Sequence, residues 1–132
     1  MTPPRPAIVA AVAVHEGRVL LVRRRIAEGT LSWQFPAGER EQGETAEHTA
    51  VRETAEEVGL HVRPVSVIGE RDHPVTGRHM IYIGCEADSA DATVVDIEEL
   101  AELAWCDQAA LAEKIPSGLF EPVAAYLGEH LG

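Results

Sequence analysis

The stretch from Thr45 to Val58 contains no glycine or proline, is rich in Ala, Glu and Arg, and is closed by Gly59. Those residue types favour helix. Thr45 is suited to cap the start, with Glu47 and His48 in the first turn, and Gly59 supplies a left-handed stop. A helix here constrains everything packed around it. Glu53, Glu56 and Glu57 stand at i, i+3 and i+4 and share one face. Val51, Thr54, Ala55 and Val58 are expected on the side that packs against a sheet. Like charges on adjacent turns cost about a few tenths of a kcal/mol per exposed pair, a cost that a divalent cation reverses, because magnesium prefers hard oxygen ligands. Taken alone, the acidic pattern is more often a solvated helix face.

The rest of the chain reads as strands with helices between them. Ala7 to Val14 and Arg18 to Val22 are apolar runs around Glu16-Gly17, the pattern of a β-hairpin. Their near-continuous apolarity predicts a strand pair covered on both faces. Arg23 to Arg25, followed by Ala27-Glu28-Gly29, reads as a charged exit from that hairpin. Ser32 to Phe35 is a short strand stopped by Pro36, and Pro36 opens a loop that runs to Thr45. Val62 to Arg71 is a strand or strand pair, Asp72 to Gly77 a turn, and His79 to Glu86 a further strand. Ser89 to Val95 is loop, or loop into strand. Leu103-Ala104-Trp105 is the last strand, and Asp107 caps a helix over Gln108 to Lys114. After the break at Pro116-Ser117-Gly118, Leu119, Phe120, Val123, Ala124, Leu127 and Leu131 recur at helical spacing. Such a mixture predicts an α/β or α+β sandwich with a mixed sheet, in a single domain over residues 1–132.

Charge narrows the partners. The 132 residues carry 22 acidic and 11 basic side chains, a net charge of −11. This argues against sequence-independent binding to duplex nucleic acid, which needs a concentrated basic surface. A small phosphorylated ligand stays compatible, since bound cations neutralise some of the acids. No apolar run approaches the roughly 20 residues that span a bilayer, and the first residues do not read as a secretory signal. Cys85 and Cys106 sit in apolar stretches and read as buried thiols in a reducing compartment. The expected location is cytoplasmic, with no membrane partner.

Context decides the meaning of the acidic helix. Gly38 is followed at fixed distances by Glu44, then by Arg52-Glu53, Glu56-Glu57 and Gly59-Leu60. This spacing resembles the signature of the Nudix hydrolases: a glycine, five residues, Glu, seven residues, Arg-Glu, an apolar position, one residue, Glu-Glu, one residue, Gly and an apolar position. Every polar and glycine position from Gly38 to Leu60 fits. Thr54 is the single departure, standing where an aliphatic residue is usual, and its methyl can still pack. The hairpin before the box, the Trp33 to Glu39 lead-in and the Glu98 to Trp105 segment also look like the family's usual surroundings.

The resemblance implies an α/β/α sandwich and cleavage of a phosphoanhydride in a nucleoside diphosphate linked to another group. It implies magnesium as cofactor, with manganese as a substitute, held by Glu53, Glu56, Glu57 and the Gly38 carbonyl oxygen. Glu53 is the preferred choice for deprotonating the attacking water. Glu44 and Arg52 fall to support, with Arg52 holding a carboxylate in ligating geometry. Magnesium neutralises the anhydride oxygens, lowers the pKa of bound water and aligns in-line attack. Glu98 and Glu99 lie where the family sometimes places a further ligand or base, although a solvated pair before the last strand is the commoner meaning for either.

Specificity is less legible. Arg23 and Arg25, within the Arg23 to Arg25 run, are candidates for phosphate contacts, against a solvated basic turn. Trp33 and Phe35 are candidates for stacking on a base, against the more usual role of core aromatics. Arg78 and Tyr82, with His73 and His79, form a polar-aromatic group around the Pro74 to Gly77 turn that suits a ribose or base. Pro74 stands close to where ADP-ribose enzymes of the family carry a proline. The chain's size and its Trp-Gln-Phe-Pro-Ala-Gly lead-in look more like the small MutT-like nucleoside-triphosphate pyrophosphatases. The leading expectation is therefore a nucleoside triphosphate or modified (d)NTP as substrate, with ADP-ribose or a nucleotide sugar as the alternative. From other classes, a non-catalytic nucleotide-binding regulatory module usually loses box glutamates, and an isomerase on the same fold needs a catalytic Cys and acid. Many relatives are homodimers, and the last amphipathic helix fits either a dimer interface or a cover for the core.

Overall fold

The computed structural model describes residues 5–28 and 31–132. Strands β1 (Ile8–His15) and β2 (Arg18–Glu28) form a hairpin in which Val14 faces Val19 and His15 faces Arg18. The two turn residues, Glu16 and Gly17, have φ of 47° and 76°, the left-handed backbone whose twist matches a tight hairpin. The continuous apolar runs have a direct cause. Val9, Ala11, Ala13, Leu20 and Val22 point into one core, and Ala10, Val12, Val19 and Leu21 point into a second on the other face. Each fully buried Val or Leu contributes roughly 1.5–3 kcal/mol, so the hairpin anchors both layers.

The chain continues through β3 (Leu31–Gln34), β4 (Ala37–Glu39), α1 (Ala46–Val58), β5 (Val62–Asp72), β6 (His79–Ala87), β7 (Leu100–Cys106), α2 (Gln108–Lys114) and α3 (Glu121–His130). One sheet runs β3-β2-β1-β6-β5, with β4 paired to β1 and β7 to β2. It is mixed: β1 and β6 are parallel, and the other pairs are antiparallel. Helix α1 closes the first core with Ala50 and Val58. Helices α2 and α3 close the second with Leu111, Val123 and Leu127. The result is an α+β fold of three layers, helix, mixed sheet and helices.

Helix α1 is capped at both ends. The Thr45 hydroxyl accepts from the His48 amide at 3.1 Å, and Gly59, at φ 66°, donates to the Ala55 carbonyl. The Glu57 and Val58 carbonyls are then taken up by the loop before β7: the Val95 amide reaches Glu57 at 2.9 Å and the Thr93 amide reaches Val58 at 3.0 Å. Carbonyls left open at a helix end need such partners, and here they tie the acidic helix to residues 93–96.

Four local expectations are corrected. Arg23 to Arg25 are not an exit turn but the continuation of β2, because β7 and β3 lie on either side and pair with this segment (Arg23 opposite both Glu102 and Trp33). Strand β7 begins at Leu100 rather than Leu103 for the same reason. On α1, Ala55 is exposed, and Thr49 and Ala50 are buried instead beside Thr54 and Val58. Thr54 is tolerated in the core because its hydroxyl donates to the Ala50 carbonyl at 2.7 Å. Leu119 and Phe120 precede α3 instead of belonging to it, although both pack on the second core. Helix α3 itself is a cover for that core, with Val123 and Leu127 fully buried.

Candidate active site

Helix α1 and strand β4 meet where Gly38 passes under Glu53. A Cβ built on Gly38 would run into the Glu53 carboxyl group, so the absence of a side chain is what lets the backbone of β4 and this carboxylate share the space. Glu53 keeps 15 % of its side-chain surface exposed, and Glu57, one turn on, only 4 %. The Glu57 and Glu53 carboxyls lie close enough for each to act on the other's ionisation. Burial pushes Glu57 up to about 8, with the Glu53 charge adding to the rise, against the opposite pull of the Arg24 guanidinium. Burial also raises Glu53, although Arg52 opposes it. Two carboxyls brought together in a dry setting each disfavour the other's charged form.

Arg52 is the organiser of the neighbouring carboxylates. It donates through Nε and Nη2 to the two oxygens of Glu44 at 2.7 and 2.9 Å, and through Nη1 to Glu53 at 2.8 Å and Glu56 at 3.3 Å. Glu44 also accepts from the Thr49 hydroxyl at 2.8 Å and the Glu41 amide at 3.0 Å. The Arg52 fork holds the Glu44 carboxyl well below the usual range, and Glu44 in turn pushes Arg52 higher. Glu44 therefore stays charged and fixes Arg52, and Arg52 orients Glu53. Glu56 is the exposed member, with 60 % of its side-chain surface in solvent.

Among the described residues no group of three or more His, Cys, Asp or Glu side chains converges as a ready coordination cage. The donor set nevertheless fits a hard divalent cation. Glu53 and Glu57 are adjacent carboxyls, largely buried, and each shares its arginine with other glutamates, Arg24 with Glu99 and Arg52 with Glu44 and Glu56, so the donors on offer are hard carboxylate oxygens without a full counter-charge. The cation would be held by Glu53 and Glu57, with the Gly38 carbonyl and Glu56 as further candidates.

A cavity of about 710 Å³ opens beside this pair. Its border with the acidic helix is made by Arg24, Ala37, Gly38 and Glu99, and the box glutamates stand behind that border. Arg24 links the two: its Nη2 donates to the Ala37 carbonyl at 3.2 Å and to Glu57 at 3.3 Å, and its Nη1 to Glu99 at 3.3 Å. Glu98 and Glu99 both line the cavity. Arg25 holds their loop, donating from Nε to the Ile97 carbonyl at 2.6 Å.

Of the residues nominated for substrate, Arg25, Trp33, Phe35, Arg78 and Tyr82 line this cavity. Arg23 does not; it lies 3.3 Å from Glu102 across the β2–β7 pair. Lys114 sits over the Trp33 ring at 4.8 Å, and Phe35 and Tyr82 are buried within the second core. Arg78 donates to the Pro6 carbonyl at 2.7 Å. His73 lines the cavity, whereas His79 is held outside it between Glu70 and Asp72, at 2.8 and 3.0 Å. Two contributors escaped the reading of the sequence: Arg71 and Phe120 come together only through the packing of β5 under the residues before α3. Within the nominated Arg23 to Arg25 run, the strand alternation that sets Arg24 apart was not recognised. Alternation along an extended β2 was the signal that could have separated Arg24 from Arg23.

Gly38 offers a direct check on this geometry. Gly38→Ala is expected to leave the fold intact, because the obstruction is a side-chain end, while displacing the Glu53 carboxylate. Divalent-metal affinity should fall by about 10–100-fold, measurable by isothermal titration with Mn2+ alongside an unchanged circular dichroism spectrum.

A sandwich of this topology, with a glycine loop feeding a buried glutamate pair, defines a Nudix domain. The NUDIX domain family model matches residues 3–126, and the chain belongs to that family. A Mycobacterium tuberculosis protein named as a candidate mutator protein, MutT4, is 36 % identical over 83 % of this chain and 48 % of its own length. An RNA pyrophosphohydrolase of Sphingopyxis alaskensis is 39 % identical over 50 % of this chain and 41 % of its own length. The chain thus spans about half or less of these relatives. Among solved structures, a MutT NUDIX hydrolase of Burkholderia pseudomallei aligns with TM-score 0.69 and 27 % identity, over 99 % of this chain and 100 % of that one. A NUDIX hydrolase of Nitrosomonas europaea shares the fold with TM-score 0.81, covering 98 % of this chain and 73 % of that one. No helix among the described residues is long and apolar enough to cross a membrane.

Proposed function

We propose that this chain is a magnesium-dependent pyrophosphohydrolase acting on a free nucleoside triphosphate or a modified (d)NTP. The observation that carries this reading is the buried Glu53–Glu57 pair, set against Gly38 at the border of a cavity with cationic and aromatic walls. When bound, magnesium neutralises the anhydride oxygens and acidifies a water. The chain's own residues then divide the remaining tasks. Glu53, oriented by Arg52, is placed to accept the proton of the attacking water. Glu57 in its deprotonated form would hold the metal, and Arg24 faces the phosphates from the cavity border. Arg25 and Arg78 add positive charge farther along the same wall, while Trp33, Phe35 and Tyr82 offer flat apolar surface for a base.

One relative is named an RNA pyrophosphohydrolase, which raises RNA as an alternative to a free nucleotide. The net charge of −11 favours the small ligand, because polyanion binding draws on a broad basic surface. A catalytic thiol is disfavoured: Cys85 is buried and pushed up to about 12, and Cys106 is raised by burial as well. The test is a panel of nucleoside triphosphates, ADP-ribose, nucleotide sugars and dinucleoside polyphosphates, assayed with magnesium and with EDTA. Magnesium-dependent release of pyrophosphate from a triphosphate is expected. Release of a nucleoside monophosphate from ADP-ribose or a nucleotide sugar alone would move the substrate to that class. Tight nucleotide binding without any hydrolysis would make the chain a regulatory module.

A further inference from the structure

The turn between β5 and β6 builds part of the cavity wall: His73, Pro74, Val75, Thr76 and Arg78 all line the cavity. Two backbone bonds close this turn. The His73 amide donates to the Arg78 carbonyl and the Gly77 amide to the His73 carbonyl, both at 2.8 Å. The last cross-strand pair before it is Asp72 opposite His79. Arg71 and Met80 point into the cavity, so Asp72 and His79 stand on the other side of the sheet, and Glu70 shares their face.

On that outer side His79 uses both ring nitrogens. Its Nδ1 lies 3.0 Å from Asp72 Oδ1 and its Nε2 lies 2.8 Å from Glu70 Oε1. A neutral imidazole has a single N–H, and an ionised carboxylate only accepts. Both bonds therefore exist together only while the ring carries two protons. The bonds to Asp72 and then Glu70 hold the ring's pKa above its usual value. Other charges nearby are engaged elsewhere. Arg71 faces the opposite way, toward Phe120, and Arg78 is taken by the Pro6 carbonyl and Glu39. Strand β1, on the other flank of β6, sets Ile8 opposite Met80 and carries no ionisable group at that end. Helix α1 covers the same side of the sheet. Its charged side chains, Glu47 and His48 in the first turn and the Arg52 to Glu57 group beyond, make no bond to the ring, whose partners among the described residues are Glu70 and Asp72.

We infer that His79 is a positioning residue for this wall of the cavity: as an imidazolium it pins the ends of β5 and β6 together behind the turn, and as a neutral ring it lets one carboxylate go. The hold is complete below the ordinary histidine range and is lost as pH rises through the raised value, because the native state then gives up a proton it had bound more tightly than the unfolded chain. Ligand affinity of the cavity should thus weaken with rising pH, a slope opposite to that expected for metal at Glu57. The effect on a ligand rests on the reading that the cavity takes a nucleotide; the hold on the turn does not.

The experiment follows the intact protein in EDTA from about pH 6 to 9, the span in which a histidine changes charge. Ring NMR signals of His79 give its pKa, exchange of the His73 and Gly77 amides (corrected for the intrinsic rate) gives the hold on the turn, and titration calorimetry gives AMP affinity. In wild type, protection and AMP affinity should each fall about 2–5-fold, the size of an exposed ion pair, with a midpoint at the ring's own pKa. Asp72→Asn should move that midpoint to lower pH. His79→Gln should show turn protection that no longer changes with pH, and an AMP affinity lacking this component. Glu57 and the AMP phosphate titrate alike in both proteins, so the difference between them isolates the ring. A ring with an ordinary pKa, turn protection that ignores its titration, or the same pH dependence of AMP affinity in His79→Gln would each overturn the proposal. A purely structural His79 would lower protection equally at every pH. Absence of AMP binding, with the ring and turn behaving as expected, would sink the nucleotide reading of the cavity alone.

Discussion

Glu57→Gln and Glu53→Gln are each expected to lower turnover by at least about 10³-fold while leaving a folded protein. Both side chains lie where α1 meets β4, and in the proposed mechanism both act in their charged form, Glu57 toward the metal and Glu53 toward the attacking water. Replacing either with an amide removes a negative charge from the candidate metal position without changing its size. Electrostatic and Lewis-acid stabilisation of a phosphoanhydride transition state is worth several kcal/mol, and each 1.36 kcal/mol is tenfold in rate. The fold should survive because Arg24 keeps Glu99 and the Ala37 carbonyl when Glu57 is changed, and Arg52 keeps its two bonds to Glu44 when Glu53 is changed. Steady-state assays on the best substrate, together with thermal melting, check the pair of outcomes. Full activity in both variants would remove this mechanism. Glu56→Gln should be milder, since Glu56 is largely in solvent.

The second large effect is a linkage between pH, metal and stability centred on Glu57. In the metal-free protein burial holds this carboxyl protonated up to about pH 8, whereas in the unfolded chain it ionises in the ordinary carboxylate range. The native state therefore binds the extra proton between those limits. Since stability falls with pH wherever the native state holds more protons, the metal-free protein should lose stability as pH rises from about 4.5 through 8. Glu57→Gln, which cannot ionise, should flatten that decline. Metal binding has the opposite slope. A ligand must be deprotonated, so affinity should climb about tenfold per pH unit below 8, and near pH 7 each bound ion should release roughly one proton. Melting curves in EDTA across pH, and titration of Mg2+ or Mn2+ in buffers of different ionisation enthalpy, read the two halves separately. A metal affinity independent of pH between 6 and 8 would show that Glu57 is already charged.

The acidic helix illustrates how much was legible beforehand. Its limits, its Thr45 cap and its Gly59 stop all follow from local chemistry: a hydroxyl that accepts from the first turn and a residue free to take positive φ. The hairpin of β1 and β2 was equally readable, because its unbroken apolarity reports burial on both faces. The family too is carried by residue types at fixed spacing between Gly38 and Leu60, and the NUDIX model match over residues 3–126 agrees with it.

What the sequence by itself determined was therefore set by short-range rules: the ends of α1, the hairpin turn, and the spacing that brings Glu53 and Glu57 onto one side of α1. Tertiary structure decided the rest, because it depends on partners distant in the chain. Arg23, Arg24 and Arg25 are equivalent as letters, yet pairing of β2 with β7 sends Arg23 to Glu102 and Arg24 to Glu57 and Glu99. Glu53, Glu56 and Glu57 are likewise equivalent on a helical wheel, and only packing against the sheet buries Glu57 while leaving Glu56 in water. The raised pKa of Glu57 comes from that desolvation, which spacing cannot encode. Arg71 meets Phe120 only because Gly69 lets a ring from far along the chain lie on β5.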